Sequence, residues 1–140
     1  MTGNEIVEIA IKLKIKYKST DPFKIAAMLK IDCNFVSFSK HVVQAYILRP
    51  HENLEPFIFI NSNFDKKSQQ IFCAHELGHA ILHNNPCNHF DGNPLSNSTE
   101  HEANLFAIAL LFNPQLFNTD IEEMNNYTLK AILDHNVSYT

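Results

Sequence analysis

The string His75-Glu76-Leu77-Gly78-His79 sets two imidazoles and a carboxylate in an H-E-x-x-H spacing. On an α-helix, four residues turn through about 400° and rise about 6 Å, so His75 and His79 stand one above the other on one face. Two imidazole nitrogens so placed can close on one Zn2+ at about 2.0–2.1 Å. Glu76, beside the first histidine, can reach a water near that ion without binding the ion itself. A zinc ion lowers the pKa of such a water to about 7, and a neighbouring carboxylate can then take its proton. The pattern points to metal-assisted hydrolysis.

A catalytic zinc needs a third protein ligand and keeps one position open. The longer pattern H-E-x-x-H-x-x-G-x-x-H is absent, because Leu82 stands at its Gly and Asn85 at its last His. His83 continues the i, i+4 series, but each step drifts about 40° round the helix and climbs away from His75. It suits a supporting place better than a ligand's. The segment from Ser98 to Ala107 offers two carboxylates. Thr99 to Glu102 has the T-x-x-E spacing of a capping box, which gives Glu102 a structural task. Glu100 and Asn104 are one turn apart, a spacing that suits a ligating carboxylate beside an amide that orients a ligating histidine. The spacing favours Glu100 and leaves Glu102 as the alternative. His101 points elsewhere and is expected to be exposed.

Two helices must carry these groups. Residues 68–84 read as one, with Ile71, Phe72, Ala74, Leu77, Ile81 and Leu82 apolar. Residues 99–112 read as the other, polar at its start and then almost wholly apolar, hence buried. Asn113-Pro114 ends it. Between them, residues 84–98 are dense in turn formers and read as a long loop. Upstream, Asp21 is an N-cap with Pro22 at the first helical position, opening a short helix that ends near Ile31. Three runs rich in Val, Ile, Phe and Tyr follow as strands: Cys33–Ser37, Val42–Leu48 and Pro56–Asn61. Short strands in sequence suggest a small, mostly antiparallel sheet. Residues 2–18 carry two patterns. Ile6, Val7, Ala10 and Leu13 follow helical spacing, whereas residues 11–18 (IKLKIKYK) alternate as a strand would. Helix is the favoured reading. Two short helices, 119–126 and 128–136, are expected to finish the chain.

Length and charge set the outer limits. One hundred and forty residues fit one domain over 1–140. A net charge of −4 and a pI near 6.0 give no general footprint for nucleic acid or an anionic membrane. The longest apolar run, Leu105–Phe112, is far short of the roughly 20 residues that span a bilayer. Glu5 and Glu8 interrupt any secretory leader. Three cysteines, Cys33, Cys73 and Cys87, form no C-x-x-C pair and suit a reducing compartment as space-filling thiols. The expected location is the cytoplasm.

His75-Glu76-Leu77-Gly78-His79 followed by Ala80-Ile81-Leu82-His83, and then Glu100-x-x-Ala103-Asn104-x-Phe106-Ala107-x-x-Leu110-Leu111, resembles the ImmA/IrrE family of zinc metallopeptidases. Asp21-Pro22-Phe23-x-Ile25-Ala26 and the strand Ile58-Phe59-Ile60-Asn61 resemble two further segments of that family, so the likeness extends over about residues 5–115. One departure is Leu110-Leu111-Phe112-Asn113-Pro114, which adds a residue before the proline of the usual L-L-M-P. The resemblance implies a zincin-like α+β fold in which a small sheet packs on the metal helix, with further helices on the N- and C-terminal sides. It implies His75 and His79 as zinc ligands, Glu76 as the catalytic glutamate and Glu100 as the third ligand, one zinc per chain. It also implies the partner, a helix-turn-helix repressor of a phage or mobile element, as a protein substrate.

The expected function is therefore zinc-dependent cleavage of a peptide bond in that repressor. Tyr46 is a candidate to stabilise the oxyanion, against a packed strand tyrosine. The strand Phe57–Asn61 is a candidate to hold an extended peptide by edge pairing. The competing expectation is a zinc-containing binding module that relieves a repressor by contact alone. A third, DNA binding through Lys12, Lys14, Lys16 and Lys18, sits poorly with the acidic whole. Neither a membrane nor nucleic acid is an expected partner.

Overall fold

Thr2 opens the first helix, α1 (Gly3–Tyr17), by accepting the Glu5 N–H at 3.2 Å, while the Glu5 carboxylate turns back to the Thr2 N–H. This reciprocal cap resolves the ambiguity of residues 2–18 in favour of helix. Ile6 and Ala10 are buried, and Leu13 and Tyr17 pack against the core one and two turns on. The alternating lysines then fall on other faces: Lys12 pairs with Glu8 at 2.9 Å in solvent, and Lys14 donates to the Phe112 carbonyl at 3.2 Å. The computed structural model describes residues 1–84, 87–90 and 97–139, with the backbone alone for 87–90 and Asn97.

Asp21 caps α2 (Pro22–Met28) by accepting the Phe23 N–H, as the sequence predicts. The chain then reverses at Lys30, whose φ of 63° is left-handed, and enters the sheet. Four strands, β1 (Asp32–Val36), β2 (Ala45–Arg49), β3 (Phe57–Asn61) and β4 (Cys87–Phe90), lie in the order β1-β3-β2-β4. β2 runs antiparallel to both β3 and β4, so the sheet is mostly antiparallel within an α+β fold, and β1 pairs parallel with β3. β4 lies within the stretch expected to be only a loop, because Cys87–Phe90 finds backbone partners along β2 that turn-forming neighbours do not advertise. The expectation that Phe57–Asn61 offers an edge to a peptide is corrected: β3 is interior, with both of its edges already paired.

The inner face of the sheet presents Ala45, Ile47, Ile58 and Ile60, all buried. Against it packs α3 (Lys66–Leu82), capped by Asp65, whose side chain accepts the Ser68 N–H. α4 (Asn97–Leu111) runs along the other side of α3 and is buried from Ala103 to Leu110, as its apolar sequence requires. The two helices meet at Gly78. A Cβ there would come within 3.1 Å of the Phe106 ring and 3.2 Å of the Ala103 backbone, so hydrogen at this position sets their separation.

α5 (Asn126–His135) starts two residues before the expected 128, since Asn125 supplies the cap by accepting the Thr128 N–H. The helix expected over 119–126 is a single 3-10 turn, Ile121–Glu123. Among the described residues no helix is long and apolar enough to cross a membrane.

Candidate metal centre

His75 and His79 both project from α3 toward α4, one helical turn apart, with ring centroids 4.8 Å from each other. Glu100, in the first turn of α4, faces them. Its two oxygens divide between the rings: Oε2 lies 3.2 Å from His75 Nε2, and Oε1 lies 3.2 Å from His79 Nε2. One donor atom from each of the three residues lies within 4.8 Å of the others. Two imidazole nitrogens and a carboxylate oxygen, converging from two helices, are the donor set that suits a catalytic zinc. The fit extends to the histidines' outer nitrogens, each of which is engaged by a second residue.

On the His75 side, Nδ1 lies 2.8 Å from Asn104 Oδ1, and Asn104 Nδ2 donates to Asn126 Oδ1 at 2.7 Å. The second bond fixes which end of the Asn104 amide faces His75. An amide oxygen only accepts, so His75 carries its proton on Nδ1 and its lone pair on Nε2, toward Glu100. Asn104 thus stands where its i, i+4 spacing from Glu100 predicts. Asn126, contributed by α5, is the residue that sequence reasoning missed; a lone asparagine 22 positions beyond Asn104 carries no local signal.

On the His79 side the same logic runs through a third histidine. His79 Nδ1 lies 3.1 Å from His83 Nδ1, and His83 Nε2 lies 2.8 Å from Glu102 Oε1. An ionised carboxylate only accepts; a neutral His83 therefore donates through Nε2, accepts at Nδ1, and leaves the His79 lone pair on Nε2. His83 reaches this position because α3 ends at Leu82. His83 itself is the cap residue, in extended backbone conformation (φ −126°, ψ 112°), and no longer follows helical drift. Glu102 is not a capping residue as its spacing suggests: α4 begins at Asn97, so Thr99 lies inside the helix. His101, expected to be exposed, is half-buried and bonds to the Met124 carbonyl at 2.9 Å.

Glu76 is 1% exposed and lines a cleft together with His75, Glu100 and Asn104. The cleft walls come from Gln44, just before β2, Ala45 of β2, Ile71 and Phe72 of α3, and Leu133 of α5. His79 is 4% exposed, and burial, only partly offset by Glu100, pushes its pKa down to about 4. A neutral imidazole is the form that can bind a metal. The structure places Tyr46 on strand β2. Its neighbours Ala45 and Ile47 are buried on the inner face, so Tyr46 lies on the opposite face of β2, stacked on Phe59 at 4.6 Å.

Known proteins bear on this geometry. Residues 26–139 match the peptidase family Peptidase M78, described as the IrrE N-terminal-like domain. The chain is also 31% identical over 112 residues to "Uncharacterized immunity region protein 2" of Bacillus phage phi105, an alignment covering 76% of this chain and 68% of the relative. No solved structure gives a significant match. With a match over most of its length and the helices that carry His75, His79 and Glu100 inside it, this chain belongs to the IrrE-like peptidase family.

Proposed function

We propose that this chain is a zinc-dependent endopeptidase that hydrolyses a peptide bond in a helix-turn-helix repressor of a phage or mobile element. The observation that carries the reading is the Glu100 carboxylate, spread between His75 Nε2 and His79 Nε2 at 3.2 Å each, with buried Glu76 lining the same cleft. His75, His79 and Glu100 would hold the ion, and this nitrogen–oxygen set suits zinc. When bound, zinc supplies a Lewis acid that polarises the scissile carbonyl and acidifies the attacking water.

The chain's own residues supply the rest. Glu76 takes the proton of the attacking water and passes it to the leaving amine, as a general base and then a general acid. Asn104, through Asn126, holds His75 in the ligating tautomer. His83, through Glu102, does the same for His79. The working unit is one metallopeptidase domain over residues 1–140, with one zinc per chain. The repressor assignment draws on the phage immunity region to which the relative's name refers. Cleavage of a repressor places the reaction in the cytoplasm.

The test is Glu76→Gln, assayed against a candidate repressor with metal content measured in parallel. The variant should retain metal and lose cleavage. Wild-type cleavage by the variant would remove Glu76 from its role. Full relief of repression without cleavage would favour a module that acts by contact.

A further inference from the structure

Two cysteines outside the metal cluster face each other across the core. The sulfurs of Cys33 on β1 and Cys73 on α3 are 3.9 Å apart, and both residues are free thiols. Their surroundings differ. Cys73 is completely buried. Cys33 is half-buried and lines a surface cavity with Phe23, Ala27, Lys30 and Phe35, so a small solute can meet Cys33 first. A disulfide requires about 2.05 Å, which asks the sulfurs to close by roughly 2 Å. β1 can supply that movement. Among the described strands it is an edge, bonded only to β3, and it begins after the left-handed turn at Lys30. α3, held between the sheet and α4, stays in place.

We infer that Cys33 and Cys73 form a reversible redox pair, in which Cys33 meets a hydroperoxide oxidant and Cys73 resolves the product. In the first step the Cys33 sulfur attacks a peroxide oxygen. The O–O bond breaks, Cys33 becomes a sulfenic acid, and, with hydrogen peroxide, one water leaves. In the second step the Cys73 sulfur attacks the Cys33 sulfur. The S–S bond forms, the S–O bond breaks, and the departing hydroxide takes the Cys73 proton to leave as a second water. Two thiols lose two electrons and the peroxide gains them. A dithiol reductant reverses the change. The bridge would join the sheet edge to the metal helix two residues before His75, giving oxidation a covalent hold on the element that carries the H-E-x-x-H string. This inference stands independently of the peptidase reading.

The experiment uses the full chain carrying Cys87→Ser, so that only the pair remains. After exposure to hydrogen peroxide, the intact mass should fall by two hydrogens and both thiols should resist alkylation. Peptide mapping should give one Cys33–Cys73 cross-link, and dithiothreitol should restore both thiols. In Cys73→Ala the same exposure should leave a dimedone-reactive sulfenic acid on Cys33. In Cys33→Ser, Cys73 should remain unmodified. Accumulation of sulfenic or sulfinic acid on Cys33 while Cys73 is present would overturn the inference, as would oxidation of Cys73 in Cys33→Ser. If Cys73→Ala does not fold, Cys33→Ser, at the half-exposed position, still decides the matter.

Discussion

His83 Nδ1 lies 3.1 Å from His79 Nδ1, although His83 has already left the helix that carries His79. The contact lets a residue outside the His75–His79–Glu100 cluster orient one inside it. Glu102 completes the arrangement at 2.8 Å from the far side of His83.

This separates the two carboxylates of α4 by experiment. Glu100→Ala should abolish zinc binding. His83→Ala and Glu102→Ala should bind zinc about 10–100-fold more weakly, the usual effect of losing an outer partner of a ligating histidine. Competition with a chromogenic chelator measures all three. Equal loss in Glu100→Ala and Glu102→Ala would contradict the division of roles.

Asn126→Ala removes the acceptor that orients Asn104, itself 4% exposed. A buried donor left without its partner costs about 1–3 kcal/mol. The expected result is that loss in urea unfolding, together with weaker zinc binding, since the Asn104 amide can then turn its nitrogen toward His75. Unchanged stability and unchanged affinity would show that Asn126 is incidental.

Gly78→Ala pits helix propensity against packing. Alanine gains up to about 1 kcal/mol over glycine within a helix. The added methyl meets the Ala103 backbone at 3.2 Å, and backbone cannot step aside as a side chain can. Overpacking of this kind costs about 1–3 kcal/mol, so net destabilisation is expected. Glu100 lies one turn before Ala103, so the shift should also weaken zinc binding. A stabilised variant with wild-type affinity would show that the helices separate freely.

The buried His79 sets a pH dependence for the metal-free protein. Its folded pKa is about 4, below the ordinary value of 6.5, with burial as the main cause. Between those values the unfolded chain binds a proton that the folded chain does not. The contribution is therefore complete above about pH 6.5 and is lost as pH falls toward 4. Urea titrations of metal-free protein between pH 7 and 4 should show falling stability, with a shallower fall in His79→Leu. Parallel profiles for the two proteins would rule out His79 as the source.

What the sequence reveals follows from how local each signal is. His75, Glu76 and His79 are legible because one helical turn places them, and Glu100 with Asn104 for the same reason. The Asp21 and Pro22 cap is legible because its physics is confined to three residues. Asn126 and the true partner of Glu102 are hidden, because their contacts join residues about twenty positions apart. β4 is hidden for a related reason: its pairing partner, not its own composition, makes it a strand. The alternation over 11–18 misleads only in isolation; Ile6 and Ala10 on the buried stripe of α1 decide for helix.

The Glu100 carboxylate comes from one helix and the two imidazoles from another, so whatever they hold is also a clasp between α3 and α4. An ion bound only by the folded arrangement stabilises that arrangement by mass action, increasingly as free ion rises above its dissociation constant. An ion held there would in this sense fasten the scaffold that positions its own ligands. Removing such an ion would loosen the helix pair that positions His75, His79 and Glu100, coupling the lifetime of the folded chain to the metal supply around it.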